Sequence, residues 1–216
     1  IKYKLFKGNV LNEYNSITKN DGTPFKVFSP FWRHAEQIYL DKVPPKENKI
    51  KKLNTKLSIF NSKNKPKDLL PKYDWYKKFE NYWNVSEKDS HNELQNFLKE
   101  RILKYSNDRD FPSLNGSSKL SPYIRNGQLN VNKIWKNCSS IKNKNIGVRK
   151  YLNELGWREF SHSLINYFPE MLKGNLRKEF DKFPWEINNK FLNAWKKGMT
   201  GYPIVDAGMR QMYETG

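Results

Sequence analysis

The sequence predicts a mainly α-helical protein, with a helical domain from about residue 80 preceded by a strand-and-turn segment and a long linker. Three observations carry this. From residue 80 onward, apolar residues recur at three- and four-residue spacing. Helix start and stop signals, such as Ser121-Pro122 and Gly198, punctuate the same stretch. Residues 41–78, by contrast, are Lys-rich, carry Pro44, Pro45, Pro66 and Pro71, and hold no period.

Taken in order, residues 1–28 read as short strands and turns. Leu5-Phe6 and Val10-Leu11 flank a Gly8-Asn9 turn, and Asn20-Asp21-Gly22 is a second turn before the β-leaning run Phe25-Lys26-Val27-Phe28. Ser29-Pro30 reads as an N-cap followed by proline at the first helical position, which starts a helix over Phe31 to Leu40. The linker reading of 41–79 competes with that of a basic DNA-binding arm, and is preferred because the lysines share no regular face. Ser90 and Glu93 have the spacing of a capping box ahead of the stripe Leu94, Phe97, Leu98, Ile102 and Leu103. A loop spans Ser106 to Ser121. Ser121-Pro122 opens a short helix ending near Asn126-Gly127, and Asn130 caps the next one through Trp135. Residues 149–168 form the clearest helix, with Leu152, Leu155, Phe160, Leu164, Ile165 and Phe168 apolar. Phe191 to Lys197 and Pro203 to Met212 complete the set, separated by Gly198 and Gly201.

Composition bounds the function. The 216 residues carry 40 Lys+Arg against 22 Asp+Glu, a net charge of +18. Mean hydropathy is −0.93, yet aromatics reach 15 %, which argues against wholesale disorder. Of the basic residues 32 are Lys and only 8 Arg, and Asn reaches 26. That pattern fits an AT-rich coding bias as well as a polyanion partner, since specific nucleic-acid contacts favour Arg. The single cysteine, Cys138, excludes a disulfide framework and any multi-cysteine metal site. His34, His91 and His162 have no second ligand at metal spacing, so no metal is assigned. No apolar run approaches the roughly 18 residues of a membrane span. These features predict a soluble cytoplasmic protein.

Two constellations carry chemistry. On the helix over 149–168, Tyr151, Glu154, Trp157, Arg158 and Ser161 fall on a common side. Their plain reading is a surface ion pair from Glu154 to Arg158 with Trp157 as core. Their functional reading is a wall for a flat aromatic ligand such as a nucleobase. The loop Gly116-Ser117-Ser118-Lys119-Leu120-Ser121 combines small residues, hydroxyls and a lysine ahead of a helix start, a pattern that suits phosphate or diphosphate. Tyr105 and Arg109 lie just upstream.

Five segments, in order, resemble the DNA photolyase/cryptochrome family of flavoproteins, and most of all its class I members that repair cyclobutane pyrimidine dimers. They are Lys26-Val27-Phe28-Ser29-Pro30-Phe31, then Arg109-Asp110-Phe111-Pro112, Gly116 through Ile124, Leu155-Gly156-Trp157-Arg158-Glu159-Phe160, and Asn193 through Arg210. The resemblance implies that 1–40 is the tail of an α/β antenna domain, 41–79 the linker, and 80–216 the first part of an all-helical FAD-binding domain. The chain is thus expected to be an internal piece of a longer enzyme, inactive alone and monomeric.

Residue roles follow by resemblance. Tyr105, Ser117, Ser118, Lys119, Leu120, Ser121, Tyr151 and Arg158 are implied FAD contacts. Glu154 is implied to hydrogen-bond the damaged pyrimidine pair and Trp157 to stack on it. Arg109, Arg158 and Ser161 are implied on the DNA side, and Trp185 as the surface end of an electron-transfer chain. The implied activity is light-driven dimer repair in UV-damaged DNA by an electron from reduced FAD. A second antenna chromophore of folate or deazaflavin type would bind mostly outside this chain. A cryptochrome photoreceptor or a (6-4) photolyase shares the same motifs, and a non-enzymatic basic DNA-binding protein is the alternative outside the family.

Overall fold

The computed structural model describes residues 8, 10–13, 16–40, 71–141 and 145–216. Leu5-Phe6 and most of the predicted linker, 41–70, lie outside the described residues. Among the described residues there are eight α-helices: α1 Phe28–Leu40, α2 Glu87–Asn96, α3 Tyr105–Asp108, α4 Ser121–Arg125, α5 Val131–Ser139, α6 Ile146–Tyr167, α7 Asn189–Lys196 and α8 Pro203–Thr215. No strand occurs among the described residues. The fold is therefore the mainly helical one expected, but the strand reading of 10–28 fails where it can be checked. Val10 and Leu11 are buried without sheet pairing. Phe25 lies outside regular structure and packs edge-on against Phe31, with ring centroids 6.2 Å apart. The turn at Asn20-Asp21-Gly22 does form, with Gly22 at φ 77° and the Thr23 N–H and hydroxyl donating to Asp21 Oδ1 at 2.9 and 2.7 Å.

The chain divides into two units. The first comprises residues 1–45 and 85–183, and the second 46–84 and 184–216. In the first, α6 is the central rod. Its N-cap is Asn145, whose side chain accepts from the Val148 N–H at 3.1 Å. Leu152, Leu155 and Phe160 are buried along it, whereas Ile165, expected in the same stripe, is exposed. Around it gather Phe31, Ala35, Leu94, Phe97, Ile102, Leu120, Ile134 and Cys138 in one apolar cluster. Helix α1 starts at Phe28, earlier than Ser29-Pro30 suggests.

Close approach of α1 to α6 depends on Gly156. A Cβ there would lie 2.5 Å from Cε3 of the Trp32 ring. Trp32 is buried and its Nε1 donates to Asn153 Oδ1 at 2.8 Å, so the ring has nowhere to retreat. Gly156→Ala is therefore expected to destabilise this unit by about 1–3 kcal/mol, the cost of overpacking a filled core. Thermal melts of variant and parent check it, and equal midpoints would contradict the packing argument.

Two local expectations are corrected. The capping box at Ser90 and Glu93 is replaced by Ser86, whose hydroxyl accepts from the Asp89 N–H at 3.0 Å. Ser90 is buried inside α2 and donates to Glu87 O and Gln128 O at 2.6 and 3.1 Å, while Glu93 pairs with Arg101 at 2.5 Å. The stripe that follows α2 winds through a π-turn, Phe97–Arg101, and a 3₁₀ turn, Ile102–Lys104, which rotates Leu103 out to solvent.

In the second unit a 3₁₀ segment, Asp74–Asn81, occupies the end of the predicted linker. Trp83 Nε1 donates to Thr215 O of α8 at 2.7 Å, and Tyr82 donates to Glu214 Oε1 at 3.1 Å. Asp206 of α8 accepts from the turn that follows α7, from the Thr200 hydroxyl and N–H at 2.6 and 2.7 Å and from the Gly201 N–H at 3.0 Å. These bonds, the Thr200 hydroxyl first, hold its carboxyl below the usual range. Arg210 donates to Gly198 O from Nε and Nη2 at 3.2 and 2.9 Å. Gly198 is at φ 63°, and a Cβ there would meet Asp206 O at 2.7 Å.

Candidate functional site

Helix α6 presents its polar residues in a graded row. Tyr151 is buried, Glu154 and Arg158 are partly covered, and Trp157 is 46 % exposed. The plain sequence reading, an ion pair from Glu154 to Arg158 with Trp157 as core, is not what forms. Glu154 Oε1 is instead in close contact with Nη1 of Arg109. Arg158 Nη1 donates to Glu159 Oε1 at 3.1 Å. Trp157 lies flat against Phe28, with centroids 3.7 Å apart and planes 9° from parallel. Ser161 is exposed and donates to Trp157 O at 2.9 Å.

Arg109 reaches Glu154 because α3 ends beside α6. Its guanidinium also donates to the Tyr105 hydroxyl at 3.4 Å, sits 5.3 Å from the Tyr105 ring centroid and pairs with Asp110 at 3.3 Å. Burial alone would lower Arg109, but Glu154, Tyr105 and Asp110 outweigh it and raise it. With two carboxylates against it, Arg109 orients Glu154 here; a backbone phosphate would have to compete with both.

The loop ahead of α4 is shaped by Gly116, which is buried where a Cβ would lie 2.4 Å from the Asp108 backbone carbon. It turns at Lys119, the one non-glycine described residue with positive φ, 54°. Ser117 and Lys119 are exposed, and Leu120 is fully buried. Among the described residues, the N–H groups of Ser117 and Lys119 donate to no partner within the chain. The Ser118 side chain lies near the Tyr151 phenol, which burial raises above its ordinary value. Tyr151 and Tyr105 meet edge-to-face at 5.1 Å, and Phe97 lies 4.6 Å from Tyr151. The serine loop, Tyr105, Tyr151 and Glu154 thus converge on one region of the first unit. Helix α4 has five residues, too short for a strong terminal field, so anion binding there would rest on loop N–H groups, hydroxyls and Lys119. Trp185 belongs to the second unit and is 73 % exposed.

Cys138 is buried in apolar surroundings that push its thiol up to about 12, so it is an unreactive packing residue. No group of potential metal ligands occurs among the described residues, and no described helix is long and apolar enough to cross a membrane.

Sequence reasoning missed Glu159. It is 4 % exposed and accepts from the Leu11 N–H at 2.8 Å. Burial pushes its carboxyl up to about 7, against the opposing pull of the Leu11 N–H, Arg158, the Asn12 N–H and the Tyr39 hydroxyl. The signal was available: Glu159 lies four residues after Leu155, inside the apolar stripe of α6.

Known proteins share this architecture. Residues 151–216 match the FAD binding domain of DNA photolyase. The chain is 34 % identical to the deoxyribodipyrimidine photo-lyase of Agrobacterium fabrum, across 98 % of this chain and 44 % of that protein. It superposes with a TM-score of 0.80 and 31 % identity on a bacterial class III photolyase from Agrobacterium tumefaciens, covering 98 % of this chain and 44 % of the other. A Synechocystis cryptochrome shares the fold at a TM-score of 0.73 and 22 % identity, over 97 % and 44 % of the two chains. The helical scaffold is that of a photolyase flavin domain. The chain belongs to the DNA photolyase family, and spans a little under half the length of the curated relatives it matches.

FAD is the cofactor of the matched domain. The residues present fit one part of it: the uncommitted N–H groups at Ser117 and Lys119, the exposed Ser117 hydroxyl and the Lys119 ammonium suit a diphosphate.

Proposed function

We propose that the full-length protein carrying this chain repairs cyclobutane pyrimidine dimers in UV-damaged DNA, using light absorbed by reduced FAD. The supporting observation is the half-exposed Trp157, held flat against Phe28 within one turn of the Arg109–Glu154 pair. Reduced FAD, when bound, supplies the electron that opens the dimer.

The chain's own residues bind and orient. Ser117, Ser118, Lys119 and Ser121 hold the diphosphate, the buried Leu120 anchors their loop, and Arg158 adds positive charge near the phosphates. Tyr105 and Tyr151 form the aromatic floor beneath. A dimer unpairs at lower cost than an intact pair and can be extruded. Trp157 then stacks on its exposed face, with Ser161 at the rim. Glu154, paired with Arg109, accepts hydrogen bonds from the pyrimidine N–H edges, and Arg109 is close enough to share the charge that develops there. Trp185, well exposed, is the outer station for electron supply.

The test is blue-light repair of a dimer-containing duplex by the flavin-reduced full-length protein. Dimer loss in the light and not in the dark is expected. Stoichiometric reduced flavin without repair would overturn the reading, and a colourless protein that still binds DNA would favour a non-enzymatic binder. Glu154→Gln should lower the repair quantum yield at saturating DNA by up to roughly tenfold, because it removes a charged hydrogen-bond partner from the place where charge develops. An unchanged yield would remove Glu154 from the reacting centre.

A further inference from the structure

We propose that Phe28 is a positioning residue. Its ring fixes the orientation of the Trp157 indole and occupies one of its faces, so that a flat ligand can stack only on the other. The proposal rests on Trp157 being the stacking surface.

The geometry is specific. Phe28 and Trp32 stand one turn apart on α1, with ring planes 10° from parallel and centroids 6.2 Å apart. Trp32 is seated against Gly156 and hydrogen-bonded to Asn153, which fixes the register between α1 and α6. That register lays Phe28 on Trp157 at 3.7 Å. Phe160 closes the cluster edge-on, 6.0 Å from Phe28 and 6.1 Å from Trp157.

A separation of 3.7 Å is van der Waals contact, so no base can enter between the two rings. The covered face is thereby removed from competition, and 46 % of Trp157 remains open. An exposed indole on a helix would otherwise sample several rotamers, and a ligand would have to immobilise it on binding. Phe28 removes that cost in advance. It is the first residue of α1, so the N-terminal end of that helix acts on the α6 surface through one ring.

The experiment uses the full-length protein labelled with 5-fluorotryptophan, the Trp157 resonance being assigned with Trp157→Phe. Dissociation constants are measured for a duplex carrying one cyclobutane thymine dimer and for the same duplex undamaged. Phe28→Ala should shift and broaden the Trp157 resonance, weaken dimer binding roughly tenfold as ordering moves to the binding step, and leave undamaged binding unchanged. Phe28→Tyr should restore both. Phe28→Leu keeps apolar volume without a flat ring and should resemble the alanine variant, which keeps the question open to measurement if Phe28→Ala folds poorly. An unmoved resonance, or a moved one with parental dimer affinity, overturns the proposal. Dimer affinity unchanged in Trp157→Ala would instead overturn the assignment of Trp157 itself. Loss in Trp157→Ala without loss in Phe28→Ala overturns only the role of Phe28.

Discussion

Replacing Glu159 by Ala is expected to destabilise the first unit by about 3 kcal/mol, as removing one member of a buried polar cluster leaves the rest without compensation. The Leu11 N–H, the Asn12 N–H, the Tyr39 hydroxyl and the Arg158 guanidinium all address this one carboxyl. The group is 4 % exposed, so any water that replaced the carboxyl would itself have to be buried and could not restore its charge to Arg158. The same site should also make stability depend on pH. The folded carboxyl is pushed up to about 7, against 4.5 for the free group. Between those values the folded chain holds a proton that the unfolded chain has released. Stability contributed by Glu159 is therefore fully present below pH 4.5 and is lost as pH rises through 7, over a range on the order of 3 kcal/mol. Glu159→Gln cannot titrate, so the difference in thermal midpoint between parent and variant should change across pH 4.5–7 and level off on either side. A constant difference across that range would mean the carboxyl does not bind its extra proton.

Glu159 also shows what the sequence could and could not convey. The helix carrying it was legible because Leu152, Leu155 and Phe160 repeat at helical spacing, and the 3.6-residue period is local information. Its polar row, from Tyr151 to Ser161, was legible for the same reason. Which partners those residues take was not legible. Glu154 and Arg158 are correctly spaced for each other, yet one turns to Arg109, 45 positions earlier, and the other to its neighbour Glu159. Contacts of that range depend on how α3 and the N-terminal segment pack on α6, and no spacing rule contains that. The strand reading near Phe25 failed for a related reason. Aromatic residues favour strands only where a sheet partner exists, and here their rings are taken up by α1 and α6. Ser90 and Glu93 had the spacing of a cap without its position, because Ser86 starts the helix a turn earlier. The net charge of +18 conveyed least. Arg109 is matched by Glu154 and Asp110, so whatever long-range attraction the lysines provide, recognition at the proposed site would fall to shape and stacking.

Trp157→Ala in the full-length protein should therefore abolish most of the preference for damaged DNA while sparing general affinity. Stacking one base on an aromatic side chain is worth about 1–3 kcal/mol, which corresponds to a loss of roughly 5- to 150-fold in dimer binding. Under the proposed function undamaged duplex would be held by phosphate contacts that do not involve an indole, so its dissociation constant should stay within about twofold and keep its salt dependence. Folding should suffer less than binding. Trp157 is about half exposed, and its main packing debt is the Phe28 face, worth about 1 kcal/mol as an aromatic pair. Trp157→Phe preserves a flat ring of smaller area and should fall between the two. The ordering of parent, phenylalanine and alanine in dimer affinity, with undamaged affinity flat, separates stacking from charge. If dimer and undamaged affinities fell together, Trp157 would be supporting the α1–α6 contact, and the damaged base would have to be read by another surface.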